Sequence, residues 1–403
     1  MLARKRSAFQ QDVSVVVSSW PQFEDDEVAA VREVMSSGRV NYWNGDEGRA
    51  FEREFAAWHG VPYAVAVANG TLALELALHS LGIGPGDEVV VSPRTFVASA
   101  SAIVMRGARP VFADVDRHSG NLTAETARAV LSERTRAILP VHLAGWPCDM
   151  HALRALADEF GLFLVEDCAQ AHGATIQGEP VGSFGDAAAF SFCTDKIIST
   201  GGEGGMLLLQ DEDTWRQAWN FKDHGKDWSA VYEREHPPGF RWVHESFGTN
   251  WRLTEMQATI GRTQLAKLPD WLEQRRNNAG VLLERLSGLP GLRVPHLPEG
   301  MGHAWYKFYA FVRPEMLRDG WDRDRIVEAV QAQGVPCLHG GCSEIYREKA
   351  FDGTGFRPPE RLPVARELGE TSLMFPVDHT LSAADMHAVA DAVEHVMREA
   401  THS

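Results

Sequence analysis

The sequence predicts an α/β fold, with a mostly parallel central sheet flanked by helices in a large domain and a smaller α+β domain at the C-terminal end. Three observations carry this. Strand and helix patterns alternate from about residue 25 to 265. The strands, such as "EVVV" and "LFLV", are continuously apolar, as in a parallel sheet covered on both faces. A second, smaller round of alternation begins near residue 285, after a long helix. The chain divides accordingly into a leader (1–24), a large domain (25–265) and a small domain with its linking helix (266–403).

Element by element, Phe23 to Gly38 reads as a first helix. "FEREFAAWHG" is a second, with Phe51, Phe55 and Trp58 on one apolar face. "YAVAVANG" is a strand and "TLALELALHSLG" a helix closed by Gly82. "GDEVVVSP" and "FVASASAIVMRG" repeat the pair, as do "RPVFADVD" and "TAETARAVLS". "TRAILPVHLAG" is a strand, "HALRALADEFG" a helix and "LFLVEDCA" a strand. "AAFSFC" and "MLLLQD" are strands on either side of a glycine-rich loop, and "TWRQAWNF" is a helix. A polar and aromatic stretch runs to about Thr249, and one long, broken helix from Leu253 to Gly288 leaves the large domain. The small domain reads as strand "WYKFYAFV", helix "RDRIVEAVQAQG", strand "LMFPVD" and helix "SAADMHAVADAVEHVMREA".

Bulk properties narrow the function. Hydrophobic residues are 44% and charged residues 23% of 403, ordinary for a globular chain of more than one domain. The net charge of -16 repels phosphate backbones and anionic lipid, which argues against nucleic-acid and membrane partners. Five cysteines with no zinc-like spacing read as reduced thiols in a cytoplasmic protein without a metal. The N-terminus is basic with a short apolar run, Val13 to Val17, below the ~7–15 residues of a signal-peptide core. It reads as a partly disordered leader.

Three segments carry chemistry. In "LVEDCAQAHGA", Asp167 ends an apolar strand, where open α/β sheets bind ligands. By itself it reads equally as a cap on the next helix. In "VANGTLALELAL", Asn69, Gly70 and Thr71 open a helix whose free N–H groups suit a phosphate, or form an ordinary N-cap and turn. In "SFCTDKIISTGGEGGM", Lys196 and Ser191 share a strand-to-loop corner beside a glycine tract. Apolar strands on both sides place this loop near the core, where a lysine without a partner is disfavoured. A phosphate site, a strand-end acid and a lysine in a tight loop are what pyridoxal 5'-phosphate needs.

These segments, with "SPRTFVASASAIV", "PVFADVD", "PVHLAGWPCDM" and "GTNWRLTEMQATIGRTQL", resemble the DegT/StrS-type sugar aminotransferases of the aspartate aminotransferase fold, fold type I, over nearly all of residues 25–265. The resemblance implies that Lys196 forms a Schiff base with the cofactor and shuttles the proton between substrate and cofactor carbons. It implies that Asp167 pairs with the pyridine nitrogen, Gln170 lies near the ring hydroxyl and Phe96 stacks on the ring. Gly70, Thr71 and Ser191 would hold the phosphate, and Asn250 would reach the phosphate of a neighbouring subunit, making the working unit a homodimer with shared active sites. Asn69 replaces the family's usual serine. Asn41, Trp43, His224 and Tyr306 are candidate substrate contacts. His172 reads as either a packing or a catalytic residue.

The implied activity is transfer of an amino group from L-glutamate or glutamine to a keto sugar, nucleotide-linked, for surface polysaccharide or a secondary metabolite. Relatives that dehydrate sugars carry histidine in place of the lysine, so Lys196 favours transamination. The alternatives are a cyclitol (inosose) aminotransferase, a sugar dehydratase on the same scaffold, or a regulatory protein that binds the cofactor without turnover.

Overall fold

The computed structural model describes residues 16–402, so the basic start of the expected leader lies outside the described residues. Helices α1 (Asp25–Ser37) and α2 (Glu47–His59) precede β1 (Tyr63–Val67) and α3 (Gly70–Ser80). Then come β2 (Glu88–Val91), α4 (Ala98–Met105), β3 (Arg109–Phe112), α5 (Ala124–Arg128), β4 (Thr135–Leu139), α6 (Met150–Phe160) and β5 (Phe163–Asp167). A hairpin of β6 (Thr175–Ile176) and β7 (Glu179–Pro180) leads to β8 (Ala187–Ser191) and β9 (Gly205–Leu209). α7 (Glu212–Lys222), α8 (Trp228–Tyr232) and α9 (Glu255–Leu286) follow. The C-terminal part holds β10 (Leu292–Arg293), β11 (Met301–Gly302), β12 (Phe308–Val312), α10 (Arg323–Ala332), α11 (Pro363–Thr371), β13 (Ser372–Phe375) and α12 (Ala383–Ala400).

The central sheet has seven strands in the order β1-β9-β8-β5-β4-β2-β3. β8, β5, β4, β2 and β3 are parallel, and β9 runs antiparallel to both β8 and β1. The carboxyl ends of β1, β8, β5, β4 and β2 therefore share one edge, where an open α/β sheet receives its ligand. Its strands are buried along nearly their whole length because apolar side chains fill both faces. Phe51, Phe55, Phe190 and Phe192 belong to the core on one face, and Val65, Leu76, Val89 and Val165 to that on the other. A separate core around Leu282, Phe308, Phe375 and Val393 holds the C-terminal part together.

The structure departs from the sequence reading in several places. α9 is continuous although Pro269 sits inside it. A proline within a helix costs about 3 kcal/mol, and packing of α9 against α1, α2 and α12 offsets that. On α2 the buried stripe runs Phe51, Phe55, His59, and Trp58 lies outside it. Spacing of four plus four fits the core better than four plus three, and His59 is held neutral, its pKa pushed down by burial to about 4. The β6–β7 hairpin, paired with β11, and α11 had no periodic signal long enough to read. Finally, the end of the expected leader is packed: Val16 is buried and its N–H donates to the Gly334 carbonyl.

Candidate active site

Each site residue is set by where its strand stops. β1 ends beside α3, whose N-cap is Asn69; its side chain accepts the Leu72 N–H at 3.0 Å. That bond uses one first-turn donor and leaves the N–H groups of Gly70 and Thr71 without intrahelical acceptors. Glycine is required here, since a Cβ on Gly70 would lie 2.5 Å from the Ser191 Cβ. A Cβ on Gly205, at the start of β9, would lie 2.4 Å from the Asn69 carbonyl oxygen. Two glycines thus let the helix N-terminus meet Ser191 at the end of β8.

Asp167 ends β5, next to β8, and is 5% exposed. The Ser99 hydroxyl donates to its Oδ2 at 2.7 Å and the Ala169 N–H to its Oδ1 at 3.1 Å. Ser99 is in turn 2.8 Å from the Thr95 hydroxyl. Burial pushes the Asp167 pKa up; these hydrogen bonds and the charge of Lys196 pull against it without cancelling it. A buried carboxylate in this state gains from a cation placed beside it.

Lys196 follows β8 in a loop closed by Thr194 N–H to the Gly202 carbonyl and Thr200 N–H to the Phe192 carbonyl. Ile197 and Ile198 are fully buried and anchor it, and Ser199 N–H donates to Gln264 on α9 at 2.9 Å. The lysine Nζ lies 3.5 Å from the Tyr306 hydroxyl and 3.5 Å from an Asp195 carboxylate oxygen. Tyr306 donates to Asp195. Burial, then Asp195, hold the phenol far above its usual pKa, so it stays protonated. Contacts this long leave the amine available to another group.

Other expected residues are placed as follows. Gln170 accepts the Ala144 N–H at 2.8 Å through its side-chain oxygen. Phe96, 69% exposed, stands at the open side of the turn before α4. Asn250 is exposed and bridges to Asp223, and His224 is exposed with a positive φ of 62°. Asn41 is exposed and caps the turn to Trp43. Trp43 packs on Tyr42 and Trp219 under the Lys226 ammonium. Tyr306 contacts the Lys196 amine, whereas Asn41, Trp43, His224 and Asn250 make no hydrogen bond or ion pair with it. His172 packs on Phe190 and Phe192, and burial pushes its pKa down to about 3, which suits packing rather than proton transfer.

Sequence reading missed three residues. Asp195 adjoins the lysine and was open to inspection. Ser99 sits at helical spacing from Thr95, a weaker clue. Trp20 had no local signal: its indole donates to the Lys196 carbonyl at 2.8 Å across 176 positions, and its ring packs on Trp271 and His379. Trp20→Phe keeps the ring and removes the donor. It is expected to cost about 1 kcal/mol of stability. By loosening the lysine loop it is also expected to cost up to about 10²-fold in turnover. Urea unfolding and single-turnover rates check the two parts.

The residues fit pyridoxal 5'-phosphate: a glycine-lined helix N-terminus for a phosphate, a buried carboxylate short of a cation, and an available amine in the loop after β8. The comparisons agree. The pattern of the DegT/DnrJ/EryC1/StrS aminotransferase family matches residues 21–394. An aminotransferase structure from Psychrobacter cryohalolentis superposes with a TM-score of 0.93 at 53% identity, over 95% of this chain and 99% of that one. A UDP-N-acetyl-3-dehydro-alpha-D-glucosamine 3-aminotransferase of Acidithiobacillus ferrooxidans is 37% identical over 88% of this chain and 89% of its own. An L-glutamine:2-deoxy-scyllo-inosose aminotransferase of Streptomyces fradiae is 40% identical over 74% of this chain and 71% of its own. The enzyme works with pyridoxal phosphate, and the chain belongs to the DegT/DnrJ/EryC1/StrS aminotransferase family.

Proposed function

We propose that this enzyme moves an amino group from L-glutamate or glutamine to the keto group of a nucleotide-linked sugar. The observation that carries the reading is the Lys196 amine, 3.5 Å from both Tyr306 and Asp195, at the sheet edge that also holds Asp167. When bound, pyridoxal phosphate supplies an aldehyde that takes up the amino group and a ring that draws electrons from the reacting carbon. The chain supplies the rest. The Gly70 and Thr71 N–H groups and the Ser191 hydroxyl would hold the phosphate at the positive end of α3. Asp167, fixed by Ser99 and Ala169, offers its charge to the ring nitrogen. Gln170 and Phe96 would flank the ring. Lys196 takes a proton at Nζ and returns it, with Tyr306 and Asp195 setting where the amine points.

A homodimer is the working unit in this reading. Phe240, Trp242 and Phe247 are 76%, 81% and 99% exposed, an apolar surface suited to a second copy. Phe96 and Asn250 are exposed on the same protomer and are assigned to the shared sites. No helix among the described residues is long and apolar enough to cross a membrane. Five unpaired thiols fit the cytoplasmic setting we assign.

The S. fradiae likeness favours a second reading, a keto cyclitol as acceptor. Enzyme charged with glutamate, then offered a UDP-linked 3-keto sugar or a keto cyclitol, separates the two. Amine on the nucleotide sugar is expected. Amine on the cyclitol alone would hand the enzyme to the second reading, and amine on neither would remove both.

A further inference from the structure

Arg94 follows β2 and is 1% exposed. Its guanidinium lies 5.2 and 5.6 Å from the ring centroids of Tyr309 and Phe311. Nη1 donates to the Ser343 hydroxyl at 2.9 Å, while Nη2 is buried with no hydrogen-bond partner among the described residues. Burial pushes its pKa down; the Tyr309 hydroxyl and the Cys342 thiol act against that, and no carboxylate among the described residues does. A buried cation without an acid is costly unless something anionic meets it.

Arg94 lines a cavity of about 30 Å³ together with Lys307, Tyr309, His118, His303 and Trp146. A water needs about 10–15 Å³ on the same measure, so the space suits one carboxylate group. The half-buried Lys307 ammonium lies 5.0 Å over the Tyr306 ring and makes no close ion pair among the described residues. Asp378 and Asp195 raise its pKa, but burial and Arg275 outweigh them. Two wall residues link the cavity to the candidate site: the Ala144 N–H donates to Gln170, and Lys307 follows Tyr306, which contacts the Lys196 amine.

We propose that Arg94 and Lys307 form an anion subsite that receives a carboxylate of the amino-acid donor. This rests on the donor reading given above. The same chemistry would accept a free compact anion, so the test separates the two sources. The cofactor-loaded enzyme is melted in acetate or chloride at constant ionic strength, and the glutamate half-reaction is followed with and without acetate. Expected are a saturable rise in melting temperature with acetate, competition between acetate and glutamate, and a tenfold or greater rise in the glutamate KM in Arg94→Met, partly restored in Arg94→Lys. Lys307→Met should move the same readouts if Arg94→Met does not fold. Stabilisation by acetate or chloride without competition, and with the glutamate KM unchanged in both methionine variants, would mean a free anion and overturn the donor assignment. No anion effect and no KM change would overturn the subsite altogether. An enzyme that takes no amine from glutamate yet is stabilised by acetate only when Arg94 is present would sink the donor reading and leave the subsite standing.

Discussion

Lys196→Ala is expected to give a folded protein whose turnover has fallen about 10⁴-fold or more. The side chain is 15% exposed and, among the described residues, makes two long polar contacts, at 3.5 Å each. Its removal leaves the Tyr306–Asp195 pair and the buried anchors Ile197 and Ile198 in place, so stability should change by under about 1 kcal/mol. In the proposed function catalysis would lose two things at once, the amine that fixes the cofactor and the group that moves the proton. Positioned proton transfer alone is worth about 10²–10⁴-fold. Thermal melting together with the glutamate half-reaction, watched through the absorbance of bound cofactor, reads both quantities. Turnover within tenfold of the parent enzyme would remove Lys196 from the chemistry.

Asp167→Asn is expected to separate stability from activity in the opposite sense. Burial raises the folded-state pKa of Asp167 above its unfolded value. The contribution of this group is therefore fully present below the unfolded carboxylate pKa of about 3.9 and is lost as pH rises through the folded pKa. At neutral pH the ionised carboxylate costs the cofactor-free fold free energy, and asparagine removes that cost while keeping an oxygen for the Ala169 N–H. The cofactor-free variant should be at least as stable as the parent at pH 7, with the difference shrinking toward pH 4. Turnover should fall about 10²–10³-fold, the usual loss when one positioned electrostatic group is removed. Urea unfolding at the two pH values and the donor half-reaction check it. A variant less stable than the parent at pH 7 would show that the Ser99 and Ala169 bonds, not burial, dominate at this residue.

Residues whose role follows from their own strand were legible in the sequence. Asp167, Ser191 and the Gly70 turn each sit at the end of an apolar run, and the sheet puts those ends on one edge. The same reasoning places Lys196, because apolar strands on both sides of its loop hold that loop near the sheet. Trp20 was beyond it, and Tyr306, read as a candidate substrate contact, gave no sign of meeting Lys196. Both reach Lys196 from more than a hundred positions away, Trp20 from the N-terminal segment and Tyr306 from the stretch before β12. Tyr306 was expected within a strand; it lies ahead of β12, its N–H bonded to the Ala144 carbonyl, and is thereby turned inward. α9 was expected to break because local propensity at Pro269 is visible in sequence and the helices that brace it are not.

Borohydride reduction of the cofactor-loaded enzyme, followed by digestion and mass mapping, bears most directly on the role given to the lysine loop. The added mass should appear on the segment from Ser191 to Met206, at Lys196. The same mass on Lys222, Lys226 or Lys307, with none on Lys196, would contradict the account.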